Sequence, residues 1–163
     1  MDIRPMTEDD VAEVAALLRA CFGWLADREG FTAEQRAFLV GPRSSAETIR
    51  TESKTRPHLV ACQGGAIVGF VTVNGRQIAR LYVHPRYHRQ GVGKALFEAA
   101  EAMIRAAGHG EMIVGALVDD AVAFYRAMGM SVAGHELYEP HIFLGRRVTL
   151  LAKNLLRSES RTR

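Results

Sequence analysis

The stretch HPRYHRQGVGKALF, His84 to Phe97, decides how the rest of this chain reads. Upstream of it QIARLYV reads as a strand, and Pro85 ends that strand because proline has no N–H to give to a ladder. Downstream, Val92, Leu96, Ala99, Met103 and Ala107 share one face of a helix expected from Gly91 to Ala107, with Lys94, Glu98, Glu101 and Arg105 facing outward. A strand, a short basic turn and a helix opening on glycines bring unpaired backbone N–H groups and the positive end of a helix dipole to one place. Gly91 and Gly93 have no side chain to hold a pyrophosphate away from those amides, and Arg86, Arg89 and Lys94 add charge-assisted contacts. The stretch therefore reads as a site for a phosphate-bearing ligand. A helix that merely starts on glycines beside solvated arginines is the bland alternative, disfavoured by the strand before it and the clean amphipathic helix after it.

Two phosphate loops fail against these letters. A Walker A loop needs a glycine where His88 stands and a magnesium-binding hydroxyl where Ala95 stands. A dinucleotide fingerprint needs a third glycine at Leu96 and a strand order that the preceding hairpin does not provide.

Outward from this centre, HLVACQ, a Gly64-Gly65 turn and AIVGFVTVNG read as a hairpin that leads into the QIARLYV strand. At the N-terminus a strand over residues 2–5 precedes Thr7, whose N-cap character and Asp10 three residues on start a helix expected to end near Gly23. Short helices are expected around 32–39 and 45–54. MIVGAL reads as a buried strand, Asp119 and Asp120 as caps of a helix over 121–128, and Gly129 as its C′ residue. Strands around 131–138 and 147–153 complete an α/β (α+β) fold, one domain over residues 1–156, with residues 157–163 as a basic tail outside it.

Composition agrees. The 163 residues, 48% apolar and 24% charged, suit a single globular domain. Lys and Arg exceed Asp and Glu by 21 − 18 = 3, which fits an anionic small ligand and falls short of a dedicated nucleic-acid binder. Four of those basic residues lie in the final KNLLRSESRTR, with no aromatic residue among the arginines to stack bases. No apolar run approaches the roughly 20 residues of a membrane span, and the N-terminus has neither a basic start nor an apolar signal core, so a cytoplasmic location is expected. Cys21 and Cys62 form no spacing motif and read as packing residues. His135-Glu136 lacks the second histidine of a zinc helix, since residue 139 is Glu139, and His141 falls in a loop; no metal is expected.

The run LYVHPRYHRQGVGKAL resembles the signature of the GNAT superfamily of acyl-CoA-dependent N-acetyltransferases, a strand ending in an LYVHP-like run followed by [Q/R]-x-x-G-x-[G/A]. IRPMTEDD at the start and AFYRAMGM later extend the resemblance over most of the chain. It implies a mixed, mostly antiparallel sheet of six to seven strands flanked by helices and splayed at a cofactor cleft. It also implies acetyl-CoA as co-substrate: Arg89, Gln90, Gly91, Val92, Gly93 and Lys94 around the pyrophosphate, the backbone of Leu81, Tyr82 and Val83 pairing with the pantetheine amides, and Phe124 beside the cofactor. His88 and Arg89 depart from the usual Gln or Arg and glycine, and VDDAVAFYRAMGM has Val118 and Met130 where the family has asparagine and phenylalanine.

Acyl transfer from a thioester to an amine needs a neutral amine, a polarised carbonyl and a proton for the departing thiolate. Tyr125 matches the family's general acid; packing on the sheet is its competing role. The Val83 N–H would polarise the carbonyl. Many relatives carry a basic glutamate on the central strand where this chain has Arg80. Asp119, Asp120, Glu111, His84 and Glu139 are the remaining candidates for a base acting through water, while Arg80 could face an acidic group on the acceptor. Trp24, Phe31 and Phe38 belong to the core or to an acceptor pocket. The expected activity is transfer of acetyl to a primary amine of a small molecule or peptide, with a non-catalytic acyl-CoA-binding module as the alternative. A free strand edge would allow a homodimer.

Overall fold

The computed structural model describes residues 1–138, 140–143 and 145–156; Glu139 and the expected basic tail lie outside the described residues. Seven strands form one sheet in the order β1-β2-β3-β4-β5-β7-β6: β1 (Asp2–Pro5), β2 (His58–Gln63), β3 (Ala66–Asn74), β4 (Gln77–Val83), β5 (Glu111–Ala116), β6 (Ser131–Leu137) and β7 (Arg147–Asn154). Every pairing is antiparallel except that of β4 with β5. Five α-helices cover its two faces: α1 (Val11–Glu29), α2 (Ala33–Val40), α3 (Ala46–Ser53), α4 (Val92–Ala106) and α5 (Asp119–Ala127).

Alternation along the strands divides the core. Val60 and Phe70 face α1, which buries Val14, Leu18 and Phe22 against them, with Leu39 of α2 and Ile49 of α3 in the same cluster. Val71, Val73 and Leu151 face the opposite side, where α4 buries Leu96, Phe97, Ala100 and Ile104, and α5 adds Tyr125. The helical period of α4 is therefore realised within one residue at each end.

Two local expectations are corrected. The first helix does not stop at Gly23; it runs to Glu29 and ends on Gly30, whose φ of 65° is the left-handed conformation of a helix terminus. Phe22 and Ala26 lie buried on either side of Gly23, and that packing outweighs the roughly 1 kcal/mol that glycine costs inside a helix. Nor do Asp119 and Asp120 cap α5. Val118 is the N-cap, without a side-chain hydrogen bond, and both aspartates sit in the first turn, where the dipole favours their charge.

The feature that creates the cleft is the short contact between β4 and β5. They pair only at Gln77–Ile113 and Ile78–Val114 and then diverge. The register of β4 against β3 also shifts, from Val73–Ile78 to Thr72–Arg80, so Ala79 is an extra residue, a bulge that re-aims the remainder of the strand.

Candidate active site

Beyond Ile78 the β5 side of β4 has no strand partner among the described residues, and a cleft of about 1770 Å³ opens there. A drug-sized ligand occupies roughly 300–1,000 Å³, so this space has room for a cofactor and an acceptor together. The His84 N–H bonds the Val68 carbonyl on β3. Strand alternation then turns the N–H and C=O of Val83 and Leu81 away from β3, toward the open edge. The same alternation points the Tyr82 backbone at β3. Of the three residues expected to pair with pantetheine, Tyr82 thus contributes its side chain and the other two their backbone.

At the wide end, α4 starts on Gly91 (φ 84°) with no side-chain cap, and its first helical bond runs from Ala95 N–H to the Gly91 carbonyl. The N–H groups of Val92, Gly93 and Lys94 are left without intrahelical acceptors. A Cβ on Gly91 would meet no protein atom within 4 Å, whereas one on Gly93 would press the Phe124 ring at 3.1 Å. One glycine keeps space open toward the cleft and the other admits Phe124. Arg89 holds φ 60°, a left-handed conformation costly for a side chain, which gives a physical reason for glycine at that position in relatives.

Leu81, Tyr82, Val83, Arg89, Gly91, Gly93, Lys94 and Phe124 line this cleft. Val92 is buried beneath it, and Gln90 folds back so that its Nε2 donates to the Arg86 carbonyl (3.1 Å). Tyr125 lines the cleft between the two walls, 6% exposed, with its ring 5.2 Å from Phe124 and 6.3 Å from Phe97. Its hydroxyl has no hydrogen bond among the described residues, and burial pushes its pKa well above the ordinary 10.

The expected bases disperse. Glu111 is ion-paired with Arg76 (2.8 Å) at the start of β5, and the His84 ring accepts the Arg86 N–H (3.1 Å); neither lines the cleft. Asp119 does not line it, and Asp120 does but is held by Arg28. Arg80 is buried, with Nη2 3.2 Å from Glu52 Oε1 and Nη1 3.0 Å from the Arg43 carbonyl. Trp24 and Phe38 line the cleft, whereas Phe31 packs on Phe143 at 5.3 Å.

Cys21, read as packing only, is buried as expected but also lines the cleft, its Sγ 3.4 Å from the Val83 carbonyl, with its pKa pushed up to about 12 by burial. The His88 Nε2 donates to that same carbonyl (2.9 Å), and its ring meets Trp24 edge-on at 4.9 Å. Trp24 in turn carries Arg28 over its face (5.5 Å). These contacts, with the Arg28–Asp120 pair, run from the end of β4 to the first turn of α5. No sequence spacing announces them, since Arg28 and Asp120 stand 92 residues apart. Among the described residues no cluster of three or more His, Cys, Asp or Glu side chains could hold a metal, and no helix is long and apolar enough to cross a membrane.

Comparisons with known proteins agree with this arrangement. A crystal structure of a GCN5-related N-acetyltransferase from Rhodopseudomonas palustris superposes with a TM-score of 0.83 at 26% identity, covering 94% of this chain and 95% of that one. The PaiA N-acetyltransferase of Thermoplasma acidophilum, solved with coenzyme A, gives 0.75 at 21% identity over 94% and 98%. A mycothiol acetyltransferase of Amycolatopsis mediterranei (strain U-32) is 39% identical over 64 residues, 33% of this chain and only 21% of that protein's length. The model of the GNAT acetyltransferase domain matches residues 27–144. With more than half of its 163 residues matched and the fold shared almost end to end, this chain belongs to the GNAT acetyltransferase family.

Proposed function

We propose that this protein moves the acetyl group of acetyl-CoA directly to a primary amine of a small molecule or peptide. The observation that carries the proposal is one continuous cleft that brings together the free amides at the start of α4, the open edge of β4 and Tyr125. The amides of Val92, Gly93 and Lys94 suit a pyrophosphate, and Arg89 and Lys94 add charge. The Leu81 backbone and the Val83 N–H suit an amide-bearing arm added along β4 as an extra strand, while the Val83 carbonyl is held by His88 and Cys21.

In the transfer, the amine nitrogen bonds to the thioester carbon, the carbon–sulfur bond breaks, the nitrogen loses a proton and the sulfur gains one. The Val83 N–H, directed at the open edge, donates to the carbonyl oxygen as charge builds there. Tyr125 supplies the proton to sulfur. A raised pKa makes a phenol a weaker acid; burial likewise pushes the Cys21 thiol, on the other face of the sheet, up to about 12. A leaving thiolate desolvated beside Tyr125 bears a cost of the same kind, which narrows the gap between the two proton affinities. Solvent in the open cleft takes the proton from the amine; of the described carboxylates expected as bases only Asp120 lines the cleft, and it is paired with Arg28.

The test is release of free thiol from acetyl-CoA by the purified protein across a panel of primary amines. Acetyl-CoA-dependent turnover with at least one amine is expected. Tight acetyl-CoA binding with no thiol released from any amine would instead favour a binding module, and no binding at all would refute both.

A further inference from the structure

Behind the acceptor end of the cleft lies a polar cluster with more cations than anions. Arg43, Arg56 and Arg80 approach a single oxygen, Glu52 Oε1, at 3.4, 3.9 and 3.2 Å. One carboxylate cannot neutralise three guanidiniums, and burial together with the neighbouring Arg43 pushes the Arg80 pKa down. Arg80 is 4% exposed, and its Nε has no partner among the described residues. Its Nη1 bonds the Arg43 carbonyl, so it grips the Pro42–Ser44 turn between α2 and α3 from beneath. Arg43 lines the cleft with 32% of its side chain exposed and only a long contact to Glu52; Arg56 does not line it. Arg80 also lines the cleft, but it is already engaged by Glu52 and the Arg43 carbonyl, so Arg43 is the member of the cluster that a ligand can reach.

Its place along the reaction axis is set by β4. Arg80 and Tyr82 share a strand face, about 7 Å apart, and the Val83 amide lies roughly 10 Å from Arg80. Glu34 and Glu136 line the same cleft and suit a protonated amine before it reacts. A polyamine would bring more positive charge to a cluster already in excess.

We propose that the acceptor carries a carboxylate as well as its amine, and that Arg43 binds this carboxylate while Arg80 positions the Arg43 turn. Free amino acids and short peptides with a free C-terminus are the class that fits. The inference rests on the acetyl-transfer reading given above and deepens it by naming the acceptor's second group.

Matched pairs test it: amino acids and dipeptides against their C-terminal amides, at saturating acetyl-CoA, with thiol release as the readout. The acids should show kcat/KM about tenfold or more above the amides, chiefly through KM, the scale of one charge-assisted contact. Arg43→Gln should bring that ratio to within about threefold, and Arg43→Lys should restore part of it. Amides used as well as acids, or a ratio unchanged in Arg43→Gln, would overturn the inference. So would an enzyme that acetylates other amines and none of these, and that result leaves acetyl transfer standing. A protein that binds no acetyl-CoA, or turns over no amine, overturns the underlying reading and this inference with it.

Discussion

Tyr125 is the residue at which packing and the proposed acid role can be told apart. Its ring belongs to the cluster under α4 and α5, while its hydroxyl has no hydrogen-bond partner among the described residues. Tyr125→Phe keeps the ring and removes only the proton, so unfolding temperature and acetyl-CoA affinity should hardly change while kcat falls about 100-fold or more. An unchanged kcat would leave solvent as the proton source; a variant that unfolds or loses acetyl-CoA would assign the hydroxyl to structure. At this scale the sequence showed the phenol, because its segment carries a recognisable pattern, but not its surroundings. Arg80 illustrates the limit. A strand arginine where relatives carry a glutamate looked available to a ligand, whereas Glu52, 28 residues earlier, already holds it. Only the chain path across α3 and β4 makes them neighbours.

Among the elements, α4 was readable to within a residue because its period, its glycines and the proline before it agree. The end of α1 was not, because a glycine's cost is local and the packing that overrides it is tertiary. That interpretation makes Gly23 a place where the chain gives up stability. A Cβ there would meet Arg36 Nη2 at 3.4 Å, an ordinary contact with the end of a flexible side chain. Gly23→Ala should therefore stabilise the fold by about 0.5–1 kcal/mol, seen as a rise of about 1–3 °C in a calorimetric Tm. A lower Tm would mean that the helix needs glycine at this point for a reason other than space. The bulge at Ala79 was also invisible beforehand, since an extra residue shows only against its partner strand.

For the whole molecule, the mixed sheet could be anticipated from hairpin-linked strands interleaved with helices. Its order could not, because placing β7 between β5 and β6 depends on pairings between distant residues. What the sequence signalled was the glycine turn at the start of α4, the proposed phosphate site. What it hid was the divergence of β4 from β5 that extends the turn into a cleft. The proposed cofactor site joins those two, held to the ligand by backbone groups more than by charge. Acetyl-CoA titrated calorimetrically into wild type, Gly91→Val and Arg89→Ala tests this most directly, with circular dichroism confirming each fold. A valine at φ 84° cannot keep the helix start in place, and its side chain would project into the open space beside it, so binding should vanish in Gly91→Val. Arg89→Ala, which removes one exposed charge-assisted contact, should weaken binding only about tenfold. Binding weaker in Arg89→Ala than in Gly91→Val, or a wild type that does not bind, would contradict a site built on backbone amides.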